Sequence, residues 1–172
     1  ADGMIAAEAT ARSAPDGYTL MLSSQSPVAI EMHIKKTLPV DPTTAFSHIA
    51  VIVDETAGMA VGVHPALPVK SMPELIAYAR ANPGKLSFST TVAYGTMFGA
   101  WLRKRTGIEM VEVRYKVASQ AVQDAITGRV QVAFQSPGAL GAQVKAGKLR
   151  FLSFATAKRI DDWPDVPTVA ES

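Results

Sequence analysis

The 172-residue sequence predicts an α/β fold with a mainly parallel sheet and helices on both of its faces. Two observations lead to this fold class. From Ser71 onward, helical and strand patterns alternate, with short glycine-containing connections between them. The run 130–134 is predominantly apolar, as expected for a strand that is buried on both faces of a sheet.

The first half of the chain has shorter patterns. Residues 4–12 are rich in Ala and Glu, which predicts a helix that ends before the turn signal at 15–17. Three short apolar runs predict strands over 18–22, 48–53 and 59–63.

In the second half, Ser71 and Glu74 match a capping box at the start of a helix that continues to about Ala81. Ser119 is expected to cap a helix that ends at Gly128. The remaining patterns predict helices over 96–105 and 137–146 and strands over 86–90, 110–115, 130–134 and 149–155.

Composition excludes several classes of function. A net charge of +2 is too small to indicate a nucleic acid or an anionic membrane as partner. The densest basic run, 103–105, follows an apolar helical stretch and is interpreted as a solvated helix end. The absence of cysteine excludes disulfides, a thiolate nucleophile and a cysteine-based zinc site. No apolar run reaches the length of a membrane span, and the start of the chain does not resemble a signal peptide.

Motifs for catalysis are weak. His33, His48 and His64 show no metal-ligand spacing, and His64, which precedes Pro65, is interpreted as structural. The adjacent carboxylates at 54–55 and 161–162 lie in expected loops, where such pairs are usually solvated. We therefore expect no enzyme activity, no metal and no cofactor; a hydrolase or transferase on an α/β scaffold is a minor alternative.

Polar loops follow several predicted strands. They contain Ser24, Gln25 and Ser26, then Thr90, Thr91, Gly95 and Thr96, then Tyr115, and finally Gln135 and Ser136. Ligands of open parallel sheets bind beyond the carboxyl ends of the strands, where free helix amides favour anions. Each loop alone is better explained by ordinary helix capping, but four together predict a shared polar cleft.

Motifs along the whole chain resemble those of the tripartite tricarboxylate transporter receptors, also called Bug proteins. They occur at 14–20 (APDGYTL), 36–42 (KTLPVDP), 115–116 (YK), 145–150 (KAGKLR) and 164–172 (PDVPTVAES). The resemblance implies a two-lobed binding protein of the type II periplasmic class, with a mainly parallel sheet in each lobe. It also implies a periplasmic location, a small carboxylate as ligand (a di- or tricarboxylate, acidic amino acid or aromatic acid), and delivery to membrane permease subunits.

The same resemblance implies that the ten polar-loop residues form the ligand site, with Ser24, Gln25 and Ser26 in the first lobe and the others in the second. The chain departs from the family pattern at several positions. Residues 91–96 and 117–118 lack the usual glycines, and Gln135 stands where the family frequently has Asp. The loss of that negative charge favours a more anionic ligand.

The family's opening strand, first loop and closing helices have no counterpart in this sequence. We therefore expect a partial first lobe over 1–63, a second lobe over 64–154 and a return segment over 155–172 to the first lobe. An incomplete lobe also predicts a dimer or a domain swap through its exposed edges. Two alternatives stay open: a ligand-sensing regulatory domain of the same general fold, and a truncated remnant with weak ligand binding.

Overall fold

A computed structural model describes residues 3–52 and 58–172 of the chain. Contacts divide these residues into two compact units. The first comprises the described residues up to Ile52 together with Val92–Tyr94, and the second comprises the remainder from Gly58 onward. The division into lobes after residues 63 and 154 concerns the whole receptor and stays a prediction.

The second unit is built on one five-stranded sheet in the order β3-β2-β4-β1-β5. The strands are β1 (Met59–Val63), β2 (Ser87–Thr90), β3 (Val111–Arg114), β4 (Val132–Gln135) and β5 (Arg150–Ala155). β2 is parallel to both β3 and β4, whereas β1 pairs antiparallel with β4 and with β5. Four strands therefore run in one direction and only β1 runs against them, which confirms the predicted α/β class.

Helices cover both faces of this sheet. They are α3 (Met72–Ala81), α4 (Ala93–Thr106), α5 (Ala118–Ile126) and α6 (Pro137–Lys145). Leu75 of α3 and Leu102 of α4 pack in one core cluster with Val61. On the other face Ala60, the neighbour of Val61, shares a cluster with Ala125 of α5 and Leu140 of α6. The alternation of side chains along β1 thus separates two apolar layers.

Only some of the predicted helix starts match the observed ones. Ser71 Oγ accepts a hydrogen bond from the Glu74 amide at 3.3 Å, as predicted, but Glu74 Oε2 accepts from Lys70 N at 2.8 Å, one residue before the cap. The prediction that Ser119 caps α5 is wrong, because the helix begins at Ala118 and Val117 is its cap, without a side-chain bond. Helix α4 begins at Ala93, three residues earlier than predicted.

The carboxyl end of α4 explains the basic run of the sequence. Arg103, Lys104 and Arg105 are exposed in its last turn, which confirms the interpretation as a solvated helix end. The final carbonyl is bound from another helix, because Nε and Nη2 of Arg80 donate to Thr106 O at 3.1 and 2.8 Å. The positive charges therefore interact favourably with the negative end of the α4 macrodipole.

The first unit contains α1 (Met4–Ala11) and a π-helical turn (Ser26–Ile30) that continues into α2 (Glu31–Ile34). The strand predicted over 18–22 is wrong, and residues 48–52 are likewise irregular, while Val53 lies outside the described residues. Tyr18 is 92% exposed, and Leu20, Leu22, Ile49, Val51 and Ile52 are also exposed. An apolar segment forms a strand only where a neighbouring strand pairs with its backbone and a packed layer covers its side chains.

Residues after β5 lie along the second unit. The amide of Phe154 donates to Pro167 O at 3.0 Å, and Trp163 packs edge-on against Phe151 with ring centroids 4.9 Å apart. A short 3₁₀ helix (Val169–Glu171) ends the chain, and Thr168 and Glu171 form a reciprocal capping box at its start. The segment after β5 is therefore held by specific contacts.

Candidate functional site

The carboxyl ends of β2, β3 and β4 lie at one edge of the sheet, because the β2–β3 and β2–β4 ladders are parallel. Helices α4, α5 and α6 begin within a few residues of these ends. Helix amino termini carry amides without intrahelical partners and the positive end of the macrodipole. This edge brings seven predicted site residues into one unit: Thr90, Thr91, Gly95, Thr96, Tyr115, Gln135 and Ser136.

Gln135 is the buried polar group of this edge. Its side chain is 5% exposed, and its Oε1 accepts a hydrogen bond from Thr91 Oγ1 at 3.0 Å. With Oε1 facing the Thr91 hydroxyl, Nε2 is the remaining donor of the amide. Within the part of the chain that the structure describes, Nε2 has no hydrogen-bond partner. A buried donor without a partner costs free energy, so Nε2 of Gln135 is a candidate contact for a ligand.

Glu112 is a site neighbour that the sequence reasoning missed. Its Oε1 accepts hydrogen bonds from Thr90 Oγ1 at 3.2 Å and from Thr96 Oγ1 at 2.5 Å. Nε of Arg114 lies 3.6 Å from the same oxygen. The available signal was the spacing of Glu112 and Arg114, because residues two apart in a strand share a face. Glu112 therefore joins β3 to the end of β2 and to the first turns of α4.

Tyr115 is tied to the scaffold at both ends. Its amide donates to Thr90 O at 2.8 Å, which extends the β2–β3 ladder, and its hydroxyl donates to Asp124 Oδ2 at 2.8 Å. Burial raises the pKa of Tyr115 to about 12, and the hydrogen bond and negative charge of Asp124 act in the same direction. The phenol proton of Tyr115 is therefore donated to Asp124 of α5. A ligand beside the Tyr115 hydroxyl would meet an oxygen that can only accept a hydrogen bond.

Gly95 and Ser136 shape the helix starts. A Cβ atom at Gly95 would lie 3.0 Å from Thr90 Cβ, so a larger residue would force α4 away from the end of β2. Ser136 Oγ accepts from Ala139 N at 3.3 Å and caps α6. The ordinary capping interpretation therefore holds for Ser136, whose other lone pair and proton are available to a ligand.

The other three predicted site residues belong to the first unit. Ser24 and Gln25 are exposed, whereas Ser26 is buried and its hydroxyl donates to Glu31 Oε1 at 3.4 Å. Glu31 also pairs with Lys35, whose Nζ lies 2.8 Å from Oε2. Ser26 is thus part of a local polar cluster, and Ser24 and Gln25 have the freer side chains. Their role in ligand binding stays a prediction.

The described residues contain no group of three or more His, Cys, Asp or Glu side chains that could hold a metal ion. His64 Nδ1 accepts from Ala66 N at 3.2 Å and stabilises the turn after β1, which confirms its structural interpretation. Asp161 and Asp162 are exposed, and the Asp54–Glu55 pair lies outside the described residues. Across 3–52 and 58–172, no helix has both the length and the hydropathy to cross a bilayer.

The raised pKa of the Tyr115 phenol allows a test of its contact with Asp124. Between pH 10 and 12 the unfolded chain loses a proton that the folded protein keeps, so the stabilisation by Tyr115 is complete below pH 10 and is lost as the pH rises to about 12. Absorbance titration of the protein, with Tyr115→Phe subtracted, should show one tyrosine that ionises near pH 12. A difference curve centred near pH 10 would contradict the buried contact with Asp124.

Comparisons with known proteins agree with the motif resemblance. The model of the tripartite tricarboxylate transporter family receptor matches residues 1–172. Protein BugT of Bordetella pertussis is 30% identical over 174 residues, covering 99% of this chain and 53% of its own length. A protein described as a periplasmic transporter superposes with a TM-score of 0.85 at 34% identity, over 99% of this chain and 57% of that structure.

A second solved structure comes from R. palustris and was determined with adipate. It superposes with a TM-score of 0.86 at 30% identity, over 98% of this chain and 56% of its own. The chain spans about half the length of the curated relatives it matches. The match therefore covers the whole of this sequence and a part of each relative.

Proposed function

Because the chain belongs to the tripartite tricarboxylate transporter receptor family, we propose that it forms part of an extracytoplasmic receptor for a small carboxylate. The relatives and structural neighbours are solute-binding receptors rather than enzymes. The family and its neighbours are periplasmic binding proteins, so the proposed location is the periplasm. The proposed partners are the membrane permease subunits of the transporter.

The observation that carries this function is the unpartnered amide of Gln135 beside the starts of α4 and α6. An ionised carboxylate accepts hydrogen bonds and donates none, so it matches Nε2 of Gln135 and the free amides of helix amino termini. Ligand binding would then supply the partner that the empty protein lacks. The proposed side-chain donors to the carboxylate in the second unit are Nε2 of Gln135 and the hydroxyl of Ser136. The hydroxyls of Thr91, Thr96 and Tyr115 surround this position but already donate to other side chains.

Charge at this edge supports an acid without a positive group. Two carboxylates lie beside these contacts, Glu112 and Asp124. Oε1 of Glu112 is engaged by Thr90, Thr96 and Arg114, and Asp124 is engaged by Tyr115 and Arg129. Gln135 provides an amide and no negative charge. An ammonium group would therefore lose hydration without gaining a free carboxylate in return. The adipate bound by the R. palustris relative is an acid of the proposed kind.

Thermal unfolding with a panel of acids tests the proposal. The panel contains succinate, glutarate, adipate, citrate and benzoate, and the diamide of adipic acid serves as an uncharged control of the same length as adipate. A ligand present at a hundred times its Kd should stabilise the protein by about 2.7 kcal/mol. At least one acid should raise the Tm while the diamide does not. If no acid changes the Tm, or if the diamide acts like adipate, the carboxylate assignment fails.

A further inference from the structure

The sheet of the second unit has two edge strands, β3 and β5. The β5 edge is covered by the end of the chain, because Phe154 N donates to Pro167 O at 3.0 Å and Phe154 forms a parallel bridge with Thr168. Within the described residues, β3 has β2 as its only strand partner. An edge strand presents backbone N–H and C=O groups with which a further strand can pair. β3 is therefore the side of the sheet that can accept another strand.

The backbone of β3 determines which residues face this open side. Val111 and Tyr115 bond towards β2, because each amide donates at 2.8 Å to a carbonyl group at or next to an end of that strand. Backbone groups alternate in direction along a strand, so those of Glu112 and Arg114 point away from β2. A second strand at this edge therefore pairs with the backbone of residues 112 and 114.

The side chains of β3 alternate between apolar and charged. Val111 and Val113 share one face of the strand, and Glu112 and Arg114 share the other. Val111 is 52% exposed, Arg114 is exposed, and the other two are partly exposed. Proline and lysine, which commonly protect edge strands from pairing, are absent from residues 111–114. The charges of β3 have opposite signs, so they do not repel a second copy of the same strand in every register.

We propose that β3 pairs antiparallel with β3 of a second copy of this chain, with Val113 opposite Val113 on a two-fold axis. In this register the backbone of Glu112 exchanges two hydrogen bonds with that of Arg114 in the second copy, and the symmetry repeats the exchange. Val111 then lies opposite Tyr115 of the second copy. Dimerisation through β3 is independent of the proposed ligand, and it uses the second unit rather than the incomplete first lobe.

Charge selects this register over its neighbours. The adjacent symmetric registers place Glu112 opposite Glu112 or Arg114 opposite Arg114, and like charges directly opposite each other destabilise a strand pair. The proposed register instead places each Glu112 opposite Arg114 of the other copy. Both threonine hydrogen bonds of Glu112 use Oε1, so Oε2 can accept from the second copy. The guanidinium of Arg114 has five N–H donors, so it can keep its contacts within its own chain.

Single cysteines test the register, because the chain contains no cysteine of its own. Opposite residues on the axis have Cβ atoms about 4.5–5.5 Å apart, so Val113→Cys should form a disulfide-linked dimer under mild oxidation. Val111→Cys is the matched control on the same face of β3. Its two copies would lie four positions apart, about 13 Å, so it should link much more slowly although Val111 is more exposed. Equal linking of both variants, or faster linking at 111, overturns the proposal.

Charge reversal tests the pairing of Glu112 with Arg114. The paired segment has four residues in each copy, so the dimer should be weak and should form as the protein concentration rises. Arg114→Glu leaves two acidic residues on the edge of each copy, and Glu112→Arg leaves two basic residues. Sedimentation velocity over a concentration series should show that each variant alone associates less than the unmodified chain. An equimolar mixture of the two variants should associate again, because acidic and basic edges then face each other.

Lys148→Glu is the matched control for net charge. Lys148 is exposed in the turn before β5, at the opposite edge of the sheet, so its reversal should leave association unchanged. An unmodified chain that stays monomeric at every concentration overturns the proposal. So does a mixture that associates no better than the separate variants, or a loss for Lys148→Glu as large as that for Arg114→Glu. If Glu112→Arg fails to fold, Arg114→Glu and the two cysteine variants still decide between these outcomes.

Discussion

Replacing Phe134 with alanine is expected to lower the free energy of unfolding of the second unit by about 3–5 kcal/mol. Phe134 is 1% exposed in β4, between β2 and β1. Its ring centroid lies 4.8 Å from that of Phe88 and 5.0 Å from that of Phe98. Removal of the ring leaves a cavity between the sheet and α4. It also removes the aromatic contacts of both Phe88 and Phe98.

Urea unfolding followed by tryptophan fluorescence measures this loss. Both tryptophans, Trp101 and Trp163, lie in the second unit and report on it directly. Val117→Ala is the control, because Val117 is exposed and its truncation should change stability by less than about 0.5 kcal/mol. A loss for Phe134→Ala as small as that of the control would show that β4 is not the packed centre of the unit.

Replacing Gln135 with leucine is expected to weaken carboxylate binding by about tenfold or more while leaving the unfolding free energy nearly unchanged. Leucine removes the hydrogen bond from the partly exposed Thr91 hydroxyl, but it also removes a buried donor that has no partner in the described structure. These two effects oppose each other, so folding loses little. The ligand, in contrast, loses the donor that we propose for its carboxylate. The Kd from calorimetry should therefore rise, while the unfolding free energy from urea titration stays nearly the same.

Gln131→Leu provides the matched control. Gln131 precedes β4 on the same segment, but both ends of its amide are bonded. Oε1 accepts from the amide and hydroxyl of Ser87 at 3.0 and 3.1 Å, and Nε2 donates to Gly128 O at 3.0 Å. Its loss should cost about 1–3 kcal/mol of stability and leave the Kd unchanged. The reverse pattern, a stable Gln131 variant and an unfolded Gln135 variant, would show that Gln135 is a structural residue.

The sequence predicted the second unit well because its patterns are local. Ser71 caps a helix where its spacing indicated, and the turn glycines Gly107, Gly128 and Gly147 adopt positive φ at helix ends. Such signals depend on neighbouring residues, so they need no knowledge of distant contacts. Ser119 is the exception, since Val117 already has the extended backbone of a cap and α5 begins one residue before Ser119.

The first unit was predicted less well. Residues 18–22 have the composition of a strand, yet they form no strand in the described structure, and Tyr18, Leu20 and Leu22 are exposed. Strand formation is decided by a partner segment that sequence patterns do not reveal. Seven of the ten polar-loop residues, by comparison, were identifiable as a group, because the carboxyl ends of parallel strands meet at one sheet edge. Ser24, Gln25 and Ser26 lie in the first unit and do not follow a strand.

The sequence by itself determined the α/β class, the family, and the strand ends at which we propose that a ligand is held, because periodicity, capping residues and motif order depend on neighbouring positions. Only the tertiary structure decided that β1 is antiparallel to its neighbours and that Glu112 accepts hydrogen bonds from Thr90 and Thr96. The same holds for the amide of Gln135, whose Nε2 has no partner in the described structure. The Thr90–Glu112 and Thr91–Gln135 contacts, for example, join residues that are 22 and 44 positions apart in the chain. Such meetings follow from strand order and register.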